Sequence, residues 1–284
     1  MTGIAFQKMQ GVGNDFVVLD ARSGGLSAKA LTATSAKAIA DRRIGVGCDQ
    51  VVLIESPSGE GTAAMRIRNA DGGEVATCGN AARCVALLLM MENGEDRVSL
   101  ETAAGLIEAV REDSNWIRID IGIAKTDWHA IPLKEAADTL HLDLCDGELR
   151  DAVAVSMGNP HAIFFVEDVE QVPLAEVGPR LEHAPIFPER ANIGVVQVLS
   201  EDRLRLRVWE RGAGLTLACG TGACAAVVAA NRRGLLCPES EVVQDGGTLT
   251  VRIREDGHVL LSGPAVWSFK GELPSEFIDR KQAI

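Results

Sequence analysis

The sequence predicts an α/β (α+β) fold made of two duplicated domains, each a sheet wrapped around one central apolar helix. The first observation behind this prediction is a short motif that occurs twice, as TCGNAARC at residues 77–84 and as ACGTGAC at residues 218–224. The second is that a β-prone run precedes each copy and an apolar helix-forming run follows it. The third is the length of 284 residues, which suffices for two domains that each bury a core.

The duplication extends beyond the cysteine motif. Cys78 and Cys219 are 141 residues apart, and the same spacing separates Asn69 from Glu210 upstream of them. Two further pairs of segments keep this order: Gly13–Phe16 with Gly158–His161 at a spacing of 145, and Ile44–Val46 with Gln50 against Ile193–Val195 with Gln197 at 149. Four pairs in one order at nearly constant spacing favour a duplicated domain over chance.

Short runs of β-branched or alternating residues predict the strands. In chain order they are Phe16–Leu19, Val51–Ile54, Arg66–Asn69, Val98–Glu101, Trp116–Asp120, His161–Val166, Arg207–Glu210 and Val251–Arg254. Three runs predict helices, at Ser35–Arg43, Ala81–Asn93 and Gly222–Arg233. The second of these is apolar nearly all round, as a buried helix is. Gly94 and Gly234 are expected to cap the helix C-termini, where glycine adopts the left-handed conformation.

The domain boundaries are expected in polar, turn-rich segments. A linker near Ala124–Asp127 divides the sequence into an N-terminal half, residues 1–124, and a C-terminal half, residues 125–264. Gly263 and Pro264 are expected to end the last strand of the second half, so residues from about 265 to 284 are assigned to the first half. The active site is then expected in the cleft between the halves.

Charge and composition narrow the class of partner. A net charge of −12 and a pI near 4.9 argue against a nucleic acid or an anionic membrane, since both bind clustered Lys and Arg. The longest apolar run is too short to span a bilayer and no basic segment precedes an apolar one at Met1, so a cytoplasmic protein with a small-molecule partner is expected. The seven cysteines form no zinc-type CxxC pair, so no metal is expected and the thiols are expected to be reduced.

Cys78 and Cys219 are the candidate catalytic residues. The dipole and free N–H groups of a helix N-terminus stabilise a thiolate and lower the pKa of a thiol placed there. If a pseudo-twofold axis relates the halves, one thiol removes the α-proton of a substrate and the other returns a proton to the opposite face. No lysine suggests a Schiff base and no phosphate loop is evident, so no cofactor is expected. The substrate carboxylate is expected on the backbone N–H groups near Gly79, Asn80, Gly220 and Thr221.

Simpler interpretations apply to several of these residues. The other five cysteines are expected to be small buried apolar residues. His161 alone is typical of a satisfied core histidine, and Glu210 with Arg211 is compatible with a surface ion pair. A dinucleotide-binding pattern also fits Gly220–Ala225, but its counterpart in the first half lacks the second glycine. Four asparagines are compatible with turn or cap positions, namely Asn14, Asn69, Asn159 and Asn192.

Several motifs together resemble the diaminopimelate epimerase family. They are GVGNDF at residues 11–16, NADG at 69–72, CGN at 78–80, GNPH at 158–161, and ERGAG at 210–214 with ACGTG at 218–222. They occur in order, and the resemblance extends from the N-terminus to about residue 270. It implies two pseudo-symmetric domains, each a mostly antiparallel sheet around a central helix, and no cofactor. It also implies interconversion of LL- and meso-diaminopimelate for lysine and peptidoglycan synthesis, usually by a homodimer.

The resemblance implies a role for each matching residue. Cys78 and Cys219 are the two bases, with the reacting carboxylate on the backbone amides named above. Glu210 contacts the α-amino group, and His161 together with Glu210 tunes the pKa values of the thiols. The distal L-amino-acid end of the substrate is bound by Asn69, Asn159, Asn192 and Arg211. The pocket is completed by Asn14 and Gln50.

Three positions differ from the residues that are common in the family, and none of these differences removes a proposed substrate contact. Ala81 replaces a common glycine, Leu215 a common glutamate, and Cys48 a common phenylalanine. The sequence also has no tyrosine, on which some relatives build a dimer contact.

Two alternative functions stay open at this point. One is another cofactor-free racemase of the same fold, acting on proline, hydroxyproline or histidine, although the proline type has Cys-Gly-His where this chain has Asn80. The other is a dithiol redox protein in which Cys78 and Cys219 form a reversible disulfide. Such a pair of thiols is also expected to make an epimerase sensitive to oxidation.

Overall fold

The structure is a computed structural model that describes residues 3–24, 26 and 31–279. The chain forms two compact units, one of Met1–Ile119 with Gly263–Ile284 and the other of Asp120–Ser262. Both boundaries fall inside strands.

The first unit combines a sheet with one long helix. Its elements, in chain order, are β1 (Ile4–Gly11), β2 (Asn14–Asp20), α1 (Ala33–Ala40), β3 (Gln50–Glu55), β4 (Ala63–Asn69), β5 (Glu74–Val75), α2 (Gly79–Asn93), β6 (Arg97–Thr102), β7 (Gly105–Asp113) and β8 (Trp116–Ile123). The boundary with the second unit falls within β8.

The second unit has the same composition of elements. They are β9 (Val153–Ser156), β10 (Pro160–Phe165), α3 (Leu174–Glu182), β11 (Asn192–Ser200), β12 (Arg203–Glu210), β13 (Gly214–Thr216), α4 (Gly220–Arg232), β14 (Glu239–Gln244), β15 (Gly247–Ile253) and β16 (His258–Pro264). The chain then returns to the first unit with β17 (Val266–Leu273), which pairs antiparallel with β1, and the short α5 (Glu276–Asp279).

The two units repeat one topology. In the first, β1–β2 is antiparallel, β2–β3 parallel, β3–β4 antiparallel, β4–β6 parallel and β6–β7 antiparallel. In the second, the same sequence of pairings joins β9–β10, β10–β11, β11–β12, β12–β14 and β14–β15. The short strands β5 and β13 pair antiparallel with β4 and β12, respectively. The predicted α+β fold with an internal duplication is confirmed.

One of the sequence pairs is wrong. Ile193–Val195 lies in β11, whereas Ile44–Val46 precedes β3 and the Ile44 side chain is 68 % exposed. The strand pairings align Gln50 with Asn192 instead, because each opens the strand that runs parallel to β2 or β10. These two residues are 142 apart, close to the spacing of the cysteines. The shared triplet Ile-Gly-Val therefore occupies different positions in the two units.

Helices α2 and α4 are the central helices of their units. The body of each is buried: α2 packs on β1, β2, β6 and β7, and α4 packs on β9 to β12, β14 and β15. Burial of such an apolar helix surface stabilises each unit by about 25 cal/mol per Å². Both helices begin two residues earlier than predicted, because each opens on a glycine and a polar residue directly after the cysteine.

The helix C-termini match the prediction in part. Gly94 caps α2 in the left-handed conformation, with φ +71°. The C-cap of α4 is Arg233, and the left-handed Gly234 (φ +69°) follows it. Helix α1 ends at Ala40, before the predicted Arg43, because Asp41 is extended and its carboxylate accepts hydrogen bonds from the next turn.

Candidate active site

Cys78 is the N-cap of α2. Its backbone is extended, with φ −145° and ψ 116°, and its carbonyl accepts the first helical hydrogen bond from Ala82 N–H. The half-buried thiol makes no cap bond with its own helix. Instead, Sγ–H donates to Asn14 Oδ1 at 3.8 Å. The orientation of this thiol is therefore set by a residue of β2.

A tight turn places Asn14 at the start of β2. Gly11 pairs with Asn14 across the hairpin, which leaves Val12 and Gly13 as a two-residue loop. Both have positive φ, +48° and +83°, as a type I′ turn requires. A β-branched residue rarely adopts this conformation, and the Val12 side chain is buried, so packing holds the strained turn.

Cys219 is the N-cap of α4 and differs from Cys78 in its contacts. Its thiol is buried and accepts a hydrogen bond from Gly222 N–H, with Sγ 3.3 Å from the nitrogen. Thr221 Oγ1 is 3.6 Å from Sγ, and Cys219 N–H donates to Gln244 Oε1 at 2.8 Å. Backbone and side chain are thus both fixed from within the second unit.

The expected low pKa is wrong for Cys219. Burial raises the pKa of this thiol well above its usual value, and the negative charge of Glu210 raises it further. The Thr221 hydroxyl and the Gly222 N–H lower it, but by less. The helix N-terminus therefore stabilises the thiolate in part, and the free protein holds Cys219 as a neutral thiol.

Glu210 lies at the end of β12, beside Cys219. Its Oε1 accepts a hydrogen bond from Thr216 Oγ1 at 2.5 Å, which fixes the carboxylate toward β13. This contact and the effect on the pKa of Cys219 show that Glu210 belongs to the thiol's surroundings. Arg211, the next residue, donates from Nη1 to the carbonyl of Glu189 at 2.9 Å.

The buried His161 and Asn192 form a polar cluster with the half-buried Asn159. His161 is fully buried, and burial lowers its pKa to about 3, with a further contribution from the charge of Arg211. The ring is therefore neutral, and its Nε2–H donates to Asn159 Oδ1 at 3.0 Å. Asn159 Nδ2 in turn donates to Thr221 Oγ1 at 3.2 Å. His161 thus reaches the Cys219 thiol through two intermediates rather than directly.

The remaining predicted residues lie at the ends of strands or at the start of the central helices. Gln50 and Asn69 lie opposite each other on β3 and β4, and Gln50 Nε2 donates to Asn69 Oδ1 at 2.9 Å. Asn192 Oδ1 accepts from Arg211 N–H at 2.8 Å, which ties the start of β11 to the end of β12. Gly79 and Asn80 are the first two residues of α2, and Gly220 and Thr221 are the first two residues of α4.

Sequence reasoning missed several residues that hold the site together. Thr216 donates a hydrogen bond to Glu210, and Gln244 accepts one from the Cys219 backbone N–H. The buried Glu182 accepts hydrogen bonds from Trp209 Nε1 and Gly212 N–H. None of them belongs to a duplicated motif. In the first unit, sequence reasoning missed Arg83, which lies inside the cysteine motif, and Asp49, which directly precedes Gln50.

Across residues 3–24, 26 and 31–279, His, Cys, Asp and Glu side chains form no group of three that could hold a metal ion. Within the same ranges, no helix combines the length and the apolar character needed to cross a membrane.

Comparison with known proteins identifies the family. The model of the diaminopimelate epimerase family matches residues 6–126 and 153–268. Diaminopimelate epimerase of Acidiphilium cryptum is 54 % identical over 96 % of this chain and 97 % of its own length. The chain belongs to the diaminopimelate epimerase family. The enzyme of that name from Rhodospirillum centenum is 52 % identical over 94 % of this chain and 91 % of its own length.

Solved structures of lower identity share the fold of this diaminopimelate epimerase family member. A hydroxyproline epimerase from Agrobacterium vitis superimposes with a TM-score of 0.68 at 15 % identity, covering 95 % of this chain and 90 % of its own. A phenazine biosynthesis protein from Bacillus anthracis superimposes with a TM-score of 0.69 at 19 % identity, covering 96 % of this chain and all of its own. At these identities the likeness concerns the fold alone, so it does not favour the alternative racemases over the diaminopimelate epimerase family.

Proposed function

We propose that this protein is a cofactor-independent isomerase, a diaminopimelate epimerase that interconverts LL- and meso-diaminopimelate in lysine and peptidoglycan precursor synthesis. The observation that carries the proposal is the pair of equivalent thiols: Cys78 and Cys219 cap the central helices of two units with one topology. The chain around them is 54 % identical to a diaminopimelate epimerase over nearly its whole length.

The reaction is a proton transfer at one carbon. One cysteine, as thiolate, removes the α-proton, and the other, as thiol, gives its proton to the opposite face, so the two cysteines exchange protonation states. The proposal requires Cys78 and Cys219, one from residues 1–124 and one from 125–264, to reach the same carbon. The developing negative charge is stabilised by helix N-termini and by N–H donors at the carboxylate. These donors are the backbone amides of Gly79, Asn80, Gly220 and Thr221.

Glu210 gives the substrate a way to ionise Cys219. In the free protein, burial and the Glu210 charge keep the pKa of Cys219 high. When the substrate ammonium group binds Glu210, it offsets that charge and favours the thiolate. The pKa of the thiol thus falls when substrate is present. His161 contributes through the chain of Asn159 and Thr221, whose Oγ1 lies 3.6 Å from the sulfur.

The distal end of the substrate is recognised by polar residues that differ between the halves. Arg211 supplies a guanidinium group, which suits bidentate binding of the distal carboxylate. Its backbone is held by Asn192 and its side chain by the Glu189 carbonyl. The asparagines Asn69 and Asn159 bind the distal amino-acid group, and Asn14 and Gln50 complete the pocket.

Solvent exchange tests the proposed activity. Reduced protein is incubated in D₂O with LL-diaminopimelate, and the α-proton signal and the appearance of the meso isomer are followed by NMR. We expect loss of the α-proton together with formation of meso-diaminopimelate. Absence of exchange in the wild-type protein would contradict the proposal, and exchange of L-proline or L-hydroxyproline instead would support the alternative racemase.

The proposal includes a homodimer in the cytoplasm. The first unit exposes two aromatic side chains on β17, Trp267 at 44 % and Phe269 at 50 %. Aromatic residues are enriched at interfaces, and exposed ones of this size suit a contact between copies. Sedimentation equilibrium of the wild type and of Trp267→Glu tests this: a dimer that the substitution weakens is expected, and a monomeric wild type would contradict it.

A further inference from the structure

A continuous chain of hydrogen bonds connects the buried Arg83 to the Asp49 carboxylate, and it passes through Asn14, which contacts the Cys78 thiol. Arg83 Nη2 donates to Asn80 Oδ1 at 2.7 Å, and Arg83 is fully buried within α2. Asn80 Nδ2 donates to Asn14 Oδ1 at 3.4 Å. Asn14 Nδ2 then donates to Asp49 Oδ2 at 2.8 Å. Every bond in the chain has its donor on the Arg83 side.

The two charged ends decide how both amides are oriented. A guanidinium group only donates hydrogen bonds, so the amide oxygen of Asn80 must face Arg83. A carboxylate only accepts, so the amide nitrogen of Asn14 must face Asp49. Both conditions leave the Asn14 oxygen free to point at the Cys78 thiol, where it lies 3.8 Å from Sγ. A reversed Asn14 amide would face Asp49 with its oxygen.

The second unit lacks both charges at the equivalent places. Ala191 precedes the first residue of β11, as Asp49 precedes the first residue of β3. Cys224 is the fifth residue of α4, as Arg83 is the fifth residue of α2. The duplicated halves therefore share the two thiols but not the charged ends of this chain.

The asparagine of the second unit has the opposite orientation. Asn159, the counterpart of Asn14, directs its oxygen to His161 and its nitrogen to Thr221. Thr221 Oγ1, which accepts from Asn159, lies 3.6 Å from the Cys219 sulfur. Cys219 thus accepts a hydrogen bond from its own helix and lies beside the Glu210 carboxylate, whereas Cys78 donates to the Asn14 amide oxygen.

We propose that Arg83 and Asp49 are positioning residues that hold the Asn14 carbonyl against the Cys78 thiol and so favour the protonated form of that thiol. An acceptor favours the protonated thiol, since it accepts from S–H and repels the thiolate. In the reaction proposed above, on which this assignment of roles rests, this contact biases Cys78 toward the form that returns a proton.

Other charged groups surround the two ends of the chain. Asp49 Oδ1 accepts from Arg42, which also pairs with Asp15, and Asp15 pairs with Lys8. Burial raises the pKa of Asp15, but hydrogen bonds and charges of Arg42 and Lys8 outweigh this and lower it to about 2, so Asp15 stays ionised above pH 4.

One more thiol belongs to the surroundings of Cys78. The charge of Cys78 acts on Cys84, which is buried in the same helix. Burial raises the pKa of Cys84 to about 12. Between pH 6 and pH 10, Cys84 therefore stays protonated, and titration observed at Cys78 belongs to Cys78 itself.

The test measures Cys78 without substrate. The full-length reduced protein reacts with iodoacetamide at a series of pH values, and mass spectrometry quantifies alkylation of the Cys78 peptide. Only the thiolate reacts, so the rate profile gives the apparent pKa of Cys78. Asp49→Asn should lower this pKa by about half a unit to one unit, a three- to tenfold rise in rate below the pKa.

A double-mutant cycle separates positioning from a direct effect of charge. In the Asn14→Ala background, Asp49→Asn should cause no further shift, because the residue through which Asp49 acts is gone. An equal shift in both backgrounds, or no shift in either, would overturn the proposal. Asp41→Asn is the matched control, since its carboxylate binds backbone N–H groups before β3, and it should leave the profile unchanged.

Arg83→Gln tests the buried end, with Asp49→Asn as the informative variant should Arg83→Gln fail to fold. Because alkylation needs no substrate, an unchanged pKa of Cys78 in Asp49→Asn would count against the positioning roles of Arg83 and Asp49 alone. Absence of α-proton exchange in the wild type would count against the proposed function and leave the alkylation result intact.

Discussion

One added methyl group tests how the Cys219 thiol is held. Gly222 is the third residue of α4, and its N–H donates to Cys219 Sγ. A Cβ at this position would lie 3.2 Å from Cys219 Sγ, from Cys219 Cβ and from Val208 Cγ2. Val208 is buried in β12 and has no room to withdraw. In Gly222→Ala the Cys219 side chain is therefore the group that moves.

The effects of this substitution on stability oppose each other. Alanine in a helix is favoured over glycine by about 1 kcal/mol. The forced contacts cost about 1–3 kcal/mol, and loss of the N–H···S bond costs at most about 1 kcal/mol. We expect a net loss of about 1–2 kcal/mol, too little to unfold the protein. Catalysis is more sensitive to position, since a displacement of about 1 Å costs about 100-fold, so kcat should fall at least about tenfold.

The assay combines urea denaturation with the epimerisation rate. Ala81→Gly is the matched control at the equivalent position of α2, where Cys78 makes no cap bond. It should lower stability by about 1–2 kcal/mol, through a lost buried methyl and a helical glycine, and leave kcat within about twofold. An unchanged kcat and an unchanged Cys219 alkylation rate in Gly222→Ala would refute the reasoning.

Three further predictions concern substrate binding and pH. Arg211→Ala should raise KM for diaminopimelate at least about 100-fold, because a buried carboxylate would lose its charged partner; steady-state kinetics with an unchanged KM would place that carboxylate elsewhere. Burial raises the pKa of Cys84 to about 12, so this thiol stays protonated in the folded protein, whereas it ionises near pH 9 in the unfolded chain. Its contribution to the free energy of unfolding is therefore complete below pH 9 and is lost as the pH rises above 9. Urea denaturation between pH 9 and pH 11 should show a shallower decline in Cys84→Val than in the exposed control Cys145→Val. His161, with its pKa lowered to about 3, stabilises the fold above pH 6.5, and each unit of pH below that should cost about 1.4 kcal/mol until about pH 3, a slope that His161→Gln should remove.

Duplication was the most reliable guide that the sequence offered. The motif around Cys78 and Cys219 predicted two helix N-termini, and both cysteines are N-caps. The signal is strong because glycine and a polar residue follow each thiol and an apolar helix follows them. Where resemblance depended on hydrophobic letters alone, as at Ile44–Val46, the alignment failed, since such triplets occur in loops and strands alike.

Elements with irregular patterns were missed. Strand β1 has a register shift between Lys8 and Met9, which interrupts its alternation, and β17 exposes its aromatic residues. Helix α3 contains Pro179 in its interior, which argues against a helix. Its burial against the second unit's core outweighs that penalty.

The position of the two cysteines at helix N-termini could be predicted from the sequence, but the electrostatics around them could not. The helix position of Cys219 predicted a low pKa, whereas burial and Glu210 raise it, and burial of one side chain depends on the whole unit. Likewise, the orientation of the Asn14 amide depends on Asp49 and Arg83, which are distant from it in sequence. Such contacts follow from tertiary packing.

The central claim is that Cys78 and Cys219 act as two bases on one α-carbon. The most direct test follows the interconversion of LL- and meso-diaminopimelate in D₂O by Cys78→Ala and Cys219→Ala, beside the wild type. The wild type should invert the centre and incorporate one solvent deuterium there, and neither single variant should complete the inversion. Epimerisation at the wild-type rate by either variant would contradict the claim.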